Sequence, residues 1–250
     1  MHGLPSESPR QTLREREAHV WRVVLDGDFP PVESRAACLS ADERARSTLF
    51  VAPLERQRFV MSRIVLRDIL AGYYGAAAGE IPIAREPGGR PFIEGTERLH
   101  FSLSHSGATA LIAVAEMTIG VDVERIRRIA RADAIARRVL HADTVAALES
   151  LPVSQREAAF IDAWTQREAH VKAVGGGLFR TPDVLPFDPS QPDDASVHPI
   201  ASRSDGTVWS VAHFVPCDGV RAAVVTPGLL RGIRIMDWDD VARGATKESG

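Results

Sequence analysis

The spacing of apolar residues along the chain predicts a mixture of helices and strands. Residues 54–70 place apolar side chains mostly at helical spacing with arginines between them, and residues 41–50, 132–150 and 153–174 are also predicted to be helical. Short segments that are β-branched, or that alternate apolar and polar residues, predict strands. The predicted strands are residues 19–26, 99–103, 110–115, 119–124, 208–215 and 220–225, the last two forming a β-hairpin around Asp218-Gly219.

Local signals set the ends of these elements. Ser40 followed three residues later by Glu43 is a capping box, which predicts the start of a helix. Pro53 opens the next helix, since proline is tolerated in the first turn. The glycines at 175–177 end the helix over residues 153–174. Five prolines between residues 182 and 199 predict a surface loop.

The order of the elements repeats along the chain. A strand, helices and strands are followed by a second strand, helices and strands, which predicts an α+β fold of two units with a seam near residue 116. We therefore expect a loose N-terminal arm (1–18), an N-terminal half (19–115), a C-terminal half (116–228) and a C-terminal tail (229–250).

Composition excludes several classes of protein. The 250 residues are 44% hydrophobic, enough to bury a core and too many for a disordered chain. A net charge of −3 gives no overall attraction to nucleic acid or to an anionic membrane. No apolar run approaches the roughly 20 residues that span a bilayer, and residues 1–17 lack a signal-peptide core. The two cysteines, Cys38 and Cys217, fit a reducing compartment. We expect a soluble, cytoplasmic monomer.

The basic residues are unevenly divided between arginine and lysine. Of 30 basic residues only Lys172 and Lys247 are lysine. Trp164, Glu168 and Lys172 stand four positions apart and form one row along a predicted helix. A surface Glu–Lys ion pair beside a tryptophan would explain this row without any function. An ammonium can give up a proton and a guanidinium cannot, so a lysine kept among arginines also indicates point-charge or proton-transfer chemistry.

Asp122 and Glu124 are a second candidate pair. They stand two apart on a predicted strand, which puts both carboxylates on one face. Such oxygen ligands suit Mg²⁺, which usually takes one or two carboxylates together with substrate phosphates. A strand at a solvated edge of the sheet is the alternative, and the pair alone favours it.

Two further groups of residues have the chemistry to hold phosphate. The segment Ser104-His105-Ser106-Gly107 joins two predicted strands and offers several hydrogen-bond donors to a phosphate, although the segment alone favours a tight turn with a satisfied histidine. Arg58, Arg63 and Arg67 on a predicted helix, with Arg90 in a Gly-Arg-Pro turn, could form a phosphate fork. The alternative is a solvated helix face, which we prefer for Arg67. The sequence has no glycine-rich nucleotide motif, Cys/His metal spacing or G-x-S-x-G elbow.

Taken in order, four motifs in the sequence resemble those of 4′-phosphopantetheinyl transferases of the Sfp type. They are Gly89-Arg90-Pro91, Phe101-Ser102-Leu103-Ser104-His105-Ser106-Gly107, Gly120-Val121-Asp122-Val123-Glu124 and Trp164-Thr165-Gln166-Arg167-Glu168-Ala169-His170-Val171-Lys172-Ala173. Each motif alone is weak, but four in this order at these spacings are specific. The resemblance covers roughly residues 19–225 of the chain.

The resemblance implies a fold and an activity. Members of the family have two similar α/β halves related by a pseudo-twofold, with coenzyme A bound in the cleft between them. They transfer the 4′-phosphopantetheine arm of coenzyme A to a serine of an acyl or peptidyl carrier protein and release adenosine 3′,5′-bisphosphate. The resemblance therefore predicts a Mg²⁺-dependent holo-[acyl-carrier-protein] synthase with an apo carrier protein as its partner. The nucleophile then belongs to the carrier, which explains why none is visible here.

The resemblance also assigns roles to individual residues. Asp122, Glu124 and Glu168 match the Mg²⁺ ligands in the C-terminal half, and Glu168 or a water on the metal would take the proton of the carrier serine. Lys172 matches a lysine at the pyrophosphate, which stabilises or protonates the leaving phosphate. Four residues match contacts to coenzyme A: Ser104 and His105 at the 3′-phosphate, and Arg58 and Arg90 around the adenosine phosphates. Trp164 is expected to set the helix packing.

The sequence departs from the family pattern at three positions. Arg90 and Arg167 stand where lysine is usual, and both keep the charge, so function should survive. Ser102 stands where asparagine is frequent, which is expected to loosen one contact. Six arginines between residues 125 and 138 are a candidate surface for an acidic carrier, or else a solvated helix face.

Two other functions would use the same acids. One is a Mg²⁺-dependent phosphohydrolase acting on coenzyme A or a nucleotide, which does not explain why two halves should hold a long ligand. The other is a non-catalytic module that binds coenzyme A or the carrier. Loss of Glu168 or Lys172 would favour the binding module, and both residues are present.

Overall fold

The computed structural model describes residues 11–27, 35–128, 132–175 and 185–238. Its strands are β1 (Glu17–Val24), β2 (Ile83–Arg85), β3 (Pro91–Ile93), β4 (His100–Ser106), β5 (Thr109–Ala115), β6 (Gly120–Arg125), β7 (Asp194–Ala201), β8 (Val208–Phe214), β9 (Val220–Pro227) and β10 (Gly232–Asp237). Its α-helices are α1 (Ala41–Ser47), α2 (Pro53–Tyr74), α3 (Ala132–Val139), α4 (Ala142–Ser150) and α5 (Val153–Val174). Short 3₁₀ turns cover Ala36–Cys38 and Ala78–Glu80.

The strands described form two larger sheets and a small hairpin. The first sheet has the order β10-β1-β5-β4 and is antiparallel except where β10 runs parallel to β1. The second sheet has the order β6-β9-β8-β7 and is antiparallel throughout. The hairpin pairs β2 with β3. The fold is therefore α+β, as the order of elements predicts.

The two sheets pack against each other through one face and carry a long helix on the other. Alternate residues of β1 and β5 point to opposite faces of the first sheet. One set packs with α2, as Trp21 and Ile112 do, and the other set, including Leu111, packs with Val121 and Val224 of the second sheet. Helix α5 covers the outer face of the second sheet, where Ala169 of the helix packs with Ala223 and Val225 of β9. Strand β6 thus lies between the first sheet and α5.

Several helix ends agree with the local sequence signals. The Ser40 hydroxyl accepts from the Glu43 backbone N–H at 3.1 Å, and the Glu43 carboxylate accepts from the Ser40 N–H at 2.9 Å, which confirms the capping box. Helix α2 begins at Pro53, and α5 covers the predicted residues 153–174. Gly175 closes α5 in the left-handed region at φ 80°, where glycine is favoured.

Two predicted connections are wrong in detail. Residues 132–150 form two helices, because the His141 side chain caps α4 by accepting from the Asp143 N–H at 3.2 Å. Strands β4 and β5 extend to Ser106 and Thr109, so the Ser-His-Ser segment is strand and only Gly107 and Ala108 turn. The strand continues because β4 pairs with β5 as far as Ser106 and Thr109.

The segments predicted as loop, arm and tail contain ordered structure. Of the predicted loop at 182–199, residues 182–184 lie outside the described residues and 194–199 belong to β7, where an edge position tolerates Pro199. Part of the predicted loose arm packs on the fold. The Gln11 N–H donates to the carbonyl oxygen of Gly72 at 3.0 Å, and β1 begins at Glu17.

The predicted tail is also wrong over residues 232–237, which form β10 of the first sheet. Arg22 of β1 holds this strand, donating to both carboxylate oxygens of Asp237 at 2.5 and 2.9 Å. Apart from β10, each large sheet takes its strands from one side of residue 116. The division of the chain into halves at this residue stays a prediction. No helix among the described residues is long and apolar enough to cross a membrane.

Gly120 lets β6 approach α5 closely, and this contact yields a prediction. A Cβ at this position would lie 1.8 Å from the carbonyl oxygen of Ala169 and 2.8 Å from the backbone nitrogen of Ala173. Gly120→Ala must therefore push the strand from the helix, and we expect it to lower the free energy of unfolding by about 3 kcal/mol. Urea unfolding measures this.

Gly232→Ala is the matched control, because it also replaces a strand glycine but its added Cβ would meet nothing within 4 Å. Equal destabilisation by the two substitutions would contradict close packing at Gly120.

Candidate active site

Strand β6 carries two acids on the face opposite its core residues. Val121 and Val123 point into the apolar layer between the sheets, and Asp122 and Glu124 point the other way. The Asp122 residue is only 4% exposed. Strand β6 does lie at the edge of the second sheet, as the alternative expects, but the solvated face of that alternative is wrong for Asp122.

Helix α5 places a lysine directly on this strand. Lys172 Nζ donates to Asp122 Oδ1 at 2.7 Å and to the carbonyl oxygen of Val121 at 3.1 Å. Glu168 lies one turn before Lys172, with its side chain 18% exposed. Trp164, another turn away, packs against Phe160 with 6.2 Å between ring centres. The predicted row therefore divides into two residues facing the acids and one that packs helices.

Strand β4 of the first sheet supplies three hydroxyls to β6. Ser102 Oγ accepts from the Val121 N–H at 3.1 Å. Ser104 Oγ donates to Asp122 Oδ1 at 2.7 Å. Ser106 Oγ donates to Glu124 Oε2 at 2.8 Å. Ser102 is not a predicted site residue, and Ser106 is predicted only as part of a segment that could hold phosphate. Serine at every second position from 102 to 106 was the available signal.

The carboxylates are partly unsatisfied, and burial raises the proton affinity of Glu168 and Glu124. Asp122 Oδ2 and Glu168 Oε1 are buried and accept no hydrogen bond among the described residues, although Glu168 Oε1 lies 3.6 Å from the guanidinium of Arg167. Burial, and then the charge of Asp122, raises the pKa of Glu168 to about 6. The pKa of Glu124 is also raised, chiefly by burial, although the hydrogen bond from Ser106 opposes this. A cation near these oxygens would relieve both the desolvation and the repulsion.

These residues fit a hard divalent cation. Unsatisfied carboxylate oxygens are the ligands that Mg²⁺ takes, and it needs only one or two of them beside substrate phosphates. The described residues contain no group of three Asp, Glu, His or Cys side chains that is already arranged as a metal site. The donor chemistry and the two buried oxygens of Asp122 and Glu168 therefore carry the fit.

A histidine and several cationic residues lie beside the acids. His105 is exposed on β4, and its pKa is lowered by partial desolvation and next by the charge of Arg63, with Lys172 and Arg58 acting in the same direction. Burial lowers the pKa of Arg63 to about 10. Among the described residues Arg63 forms no ion pair, and its guanidinium lies 5.1 Å from the centre of the Phe59 ring. It is the arginine of this group that most needs an anion.

The other predicted arginines are already engaged. Arg58 donates to both carboxylate oxygens of Asp26 at 2.8 and 2.6 Å and to Glu55 at 2.7 Å. These bonds, that to Asp26 foremost, raise the pKa of Arg58. Arg67 is buried and donates to Glu43 at 2.8 Å, so the solvated helix face preferred for it is wrong.

Arg90 joins the β2–β3 hairpin to the end of α5. Its guanidinium donates to Glu86 at 3.1 and 2.6 Å and to the carbonyl oxygen of Ala173 at 2.8 Å. The carbonyls of the last turn lack partners within a helix, so Arg90 caps the helix that carries Lys172. A contact from Arg90 to coenzyme A stays a prediction.

Comparison with known proteins identifies the family. The model of the 4′-phosphopantetheinyl transferase N-terminal region matches residues 31–117, and that of the 4′-phosphopantetheinyl transferase superfamily matches residues 118–225.

Three similar proteins illustrate the match to individual relatives. The 4′-phosphopantetheinyl transferase HetI of Nostoc sp. is 34% identical over 91% of this chain and 94% of its own length. AcpT of Salmonella typhimurium is 30% identical over 68% of this chain and 84% of its length, and Sfp of Bacillus subtilis is 24% identical over 56% and 67%. The chain belongs to the 4′-phosphopantetheinyl transferase superfamily.

Proposed function

We propose that this chain transfers the 4′-phosphopantetheine arm of coenzyme A to a serine of an apo acyl or peptidyl carrier protein. The serine oxygen forms a bond to the phosphorus next to the pantetheine, the pyrophosphate P–O bond breaks, and adenosine 3′,5′-bisphosphate leaves. Membership of the family supports the activity. The observation that carries it to this site is the contact of Lys172 with Asp122 beside Glu168. The enzyme is proposed to be a cytoplasmic monomer of the holo-[acyl-carrier-protein] synthase type.

The acids divide the work between holding a metal and accepting a proton. Asp122, Glu124 and Glu168 would hold Mg²⁺, which supplies charge stabilisation for the leaving phosphate when it is bound. Glu168 is the residue proposed to accept the serine proton. This assignment rests on the place of Glu168 one turn before Lys172 and not on its pKa of about 6, which describes the metal-free site and which a bound cation would lower.

Lys172 is proposed to act on the leaving pyrophosphate. Its ammonium has three N–H donors, and Asp122 and Val121 use two of them. The third N–H is left to bind a phosphate oxygen and to deliver a proton as the bond breaks. Asp122 thus holds the Lys172 ammonium in place while it takes part in metal binding.

The cationic group beside the acids is proposed to hold the other phosphates of coenzyme A. Arg63 lies close enough to His105 for its charge to lower the pKa of the imidazole. Arg63 forms no ion pair with a carboxylate among the described residues. We retain Arg58 and Arg90 as proposed contacts, and Ser104 as the neighbour of His105 in its contact, with the Ser104 hydroxyl staying on Asp122. Both guanidinium groups would first have to exchange the partners described above.

The carrier is proposed to dock on the arginines between residues 125 and 138. This run begins directly after Glu124, at the end of β6, and continues into α3. Arg131 lies outside the described residues. A basic surface would attract an acidic carrier despite the overall charge of −3, since local charges steer association.

The deciding experiment incubates the chain with coenzyme A, Mg²⁺ and a panel of apo carriers, and measures the intact mass of each carrier. A gain of one phosphopantetheine supports transfer and identifies the carriers served. Free phosphopantetheine without modification of any carrier would instead support hydrolysis. Binding of coenzyme A with neither product would support a non-catalytic module.

Asp122→Asn tests the metal site. We expect roughly a 10²- to 10³-fold loss of transfer, because the substitution removes the charge while keeping the side-chain volume. The initial rate of carrier modification measures this. Asp218→Asn in the exposed turn between β8 and β9 is the control and should leave the rate unchanged. An unchanged rate in Asp122→Asn would refute the site.

Lys172→Arg separates charge from proton delivery. We expect about a 10²-fold loss, because a guanidinium keeps the charge but does not release a proton. Lys172→Met, which removes both, should lose at least as much. A rate near that of the wild type for Lys172→Arg, with loss for Lys172→Met, would mean that only the positive charge counts.

Glu168→Gln should stabilise the metal-free fold while it abolishes transfer. The pKa of folded Glu168 lies above its ordinary 4.5, so the charged form is disfavoured by folding. The penalty is absent below pH 4.5, grows as the pH rises to about 6 and is constant above that value. We therefore expect a gain of about 2 kcal/mol at neutral pH and none under acid conditions.

Urea unfolding in the presence of a chelator, at several pH values, measures this gain. Glu157→Gln on the exposed face of the same helix is the control. A gain in stability that does not depend on pH, or one that is equal in the two variants, would show that the buried charge of Glu168 does not destabilise the fold.

A further inference from the structure

The serines of β4 match the acids of β6 in spacing and direction. Ser104 and Ser106 stand two apart on one strand, and Asp122 and Glu124 stand two apart on the other. Each serine hydroxyl donates to one carboxylate, at 2.7 Å for the first pair and 2.8 Å for the second. The two strands belong to different sheets, so each acid of the second sheet is held by the first.

Each of these hydrogen bonds occupies one oxygen of its carboxylate. In Asp122, Oδ1 accepts from both Ser104 and Lys172, and Oδ2 is buried without a hydrogen bond among the described residues. In Glu124, Oε2 accepts from Ser106. A carboxylate with one oxygen fixed presents the other in a defined direction, which is what a metal ligand requires.

The direction of the Ser106 bond is fixed by a second contact. The backbone N–H of Arg125 donates to Ser106 Oγ at 3.2 Å. Ser106 thus accepts from the backbone of β6 and directs its own O–H to Glu124. Glutamate has several rotatable bonds, and fixing its rotamer in advance removes an entropy cost from ligand binding.

We propose that Ser106 and Ser104 are positioning residues of the metal site, which hold Glu124 and Asp122 with one oxygen each turned toward the cation. The inference rests on the proposed function only in taking these acids as metal ligands. It assigns the hydroxyl of Ser104 to a carboxylate and gives a role to Ser106, so that the N-terminal half sets the affinity of a site whose ligands lie in the C-terminal half.

Metal affinity, measured without turnover, tests the proposal. Mn²⁺ is titrated into the full chain with saturating coenzyme A and no carrier, and free Mn²⁺ is followed by electron paramagnetic resonance. Ser106→Ala should weaken Mn²⁺ binding roughly tenfold, the usual effect of removing a hydrogen bond to a metal ligand. Ser106→Thr, which keeps the hydroxyl, should restore most of the affinity.

Ser102→Ala is the matched control. Ser102 bonds β4 to β6 through the Val121 N–H and touches no carboxylate. Its loss should lower the midpoint of urea unfolding and leave Mn²⁺ affinity unchanged. If Ser102→Ala weakens Mn²⁺ binding as much as Ser106→Ala does, the serines act only by joining the sheets and the proposal is wrong.

A double-mutant cycle keeps the test decisive if Ser106→Ala loses stability. Once Glu124→Gln has removed the ligand charge, adding Ser106→Ala should weaken Mn²⁺ binding no further. Independent, additive losses would overturn the proposal, as would wild-type affinity in Ser106→Ala.

Failure of the proposed function is distinguishable from failure of this inference. If no apo carrier gains mass but Ser106→Ala still weakens Mn²⁺ binding selectively, the transferase is refuted and the positioning role stands. If carriers are modified and Ser106→Ala binds Mn²⁺ as tightly as the wild type, only the positioning role fails.

Discussion

Charged carboxylates packed between a strand and a helix lose hydration, and the neighbours of β6 offset that loss. Desolvation is costly unless the charge is paired and its oxygens are hydrogen-bonded. Lys172 pairs with Asp122, and serines of β4 donate to Asp122 and Glu124. Gly120 permits the close approach of β6 to α5 that brings these groups together. The compensation is incomplete at Asp122 Oδ2 and Glu168 Oε1, which suits a site that gains a cation when loaded.

The β2–β3 hairpin also supports this site, through a contact with α5. Arg90 joins the β2–β3 hairpin to the last turn of α5 by donating to Glu86 and to the carbonyl oxygen of Ala173. A planar guanidinium reaches two acceptors in different directions at once, whereas a lysine ammonium presents a single compact charge. This geometry gives a physical reason for arginine at a position where the family resemblance led us to expect lysine, and it ties the end of α5 to the β2–β3 hairpin.

The sequence predicted the elements that depend on local signals. The capping box at Ser40, the start of α2 at Pro53 and the whole of α5 follow from nearest neighbours along the chain. The order of the motifs also predicted that Asp122, Glu168 and Lys172 share one site, and the structure places them together. Contacts between distant segments were not predictable: the partners of Arg58 and Arg67, the strand conformation of Ser104 to Ser106, and β10 all depend on residues far away in sequence.

The return of β10 to the first sheet has a consequence for synthesis of the chain. Strand β1 pairs with β5 on one side and with β10 on the other, so one of its edges has no partner until residues 232–237 have left the ribosome. An unpaired strand edge invites pairing with other chains. The first sheet therefore stays incomplete until its last strand is made. The nascent chain must keep the edge of β1 protected while all strands of the second sheet are being synthesised.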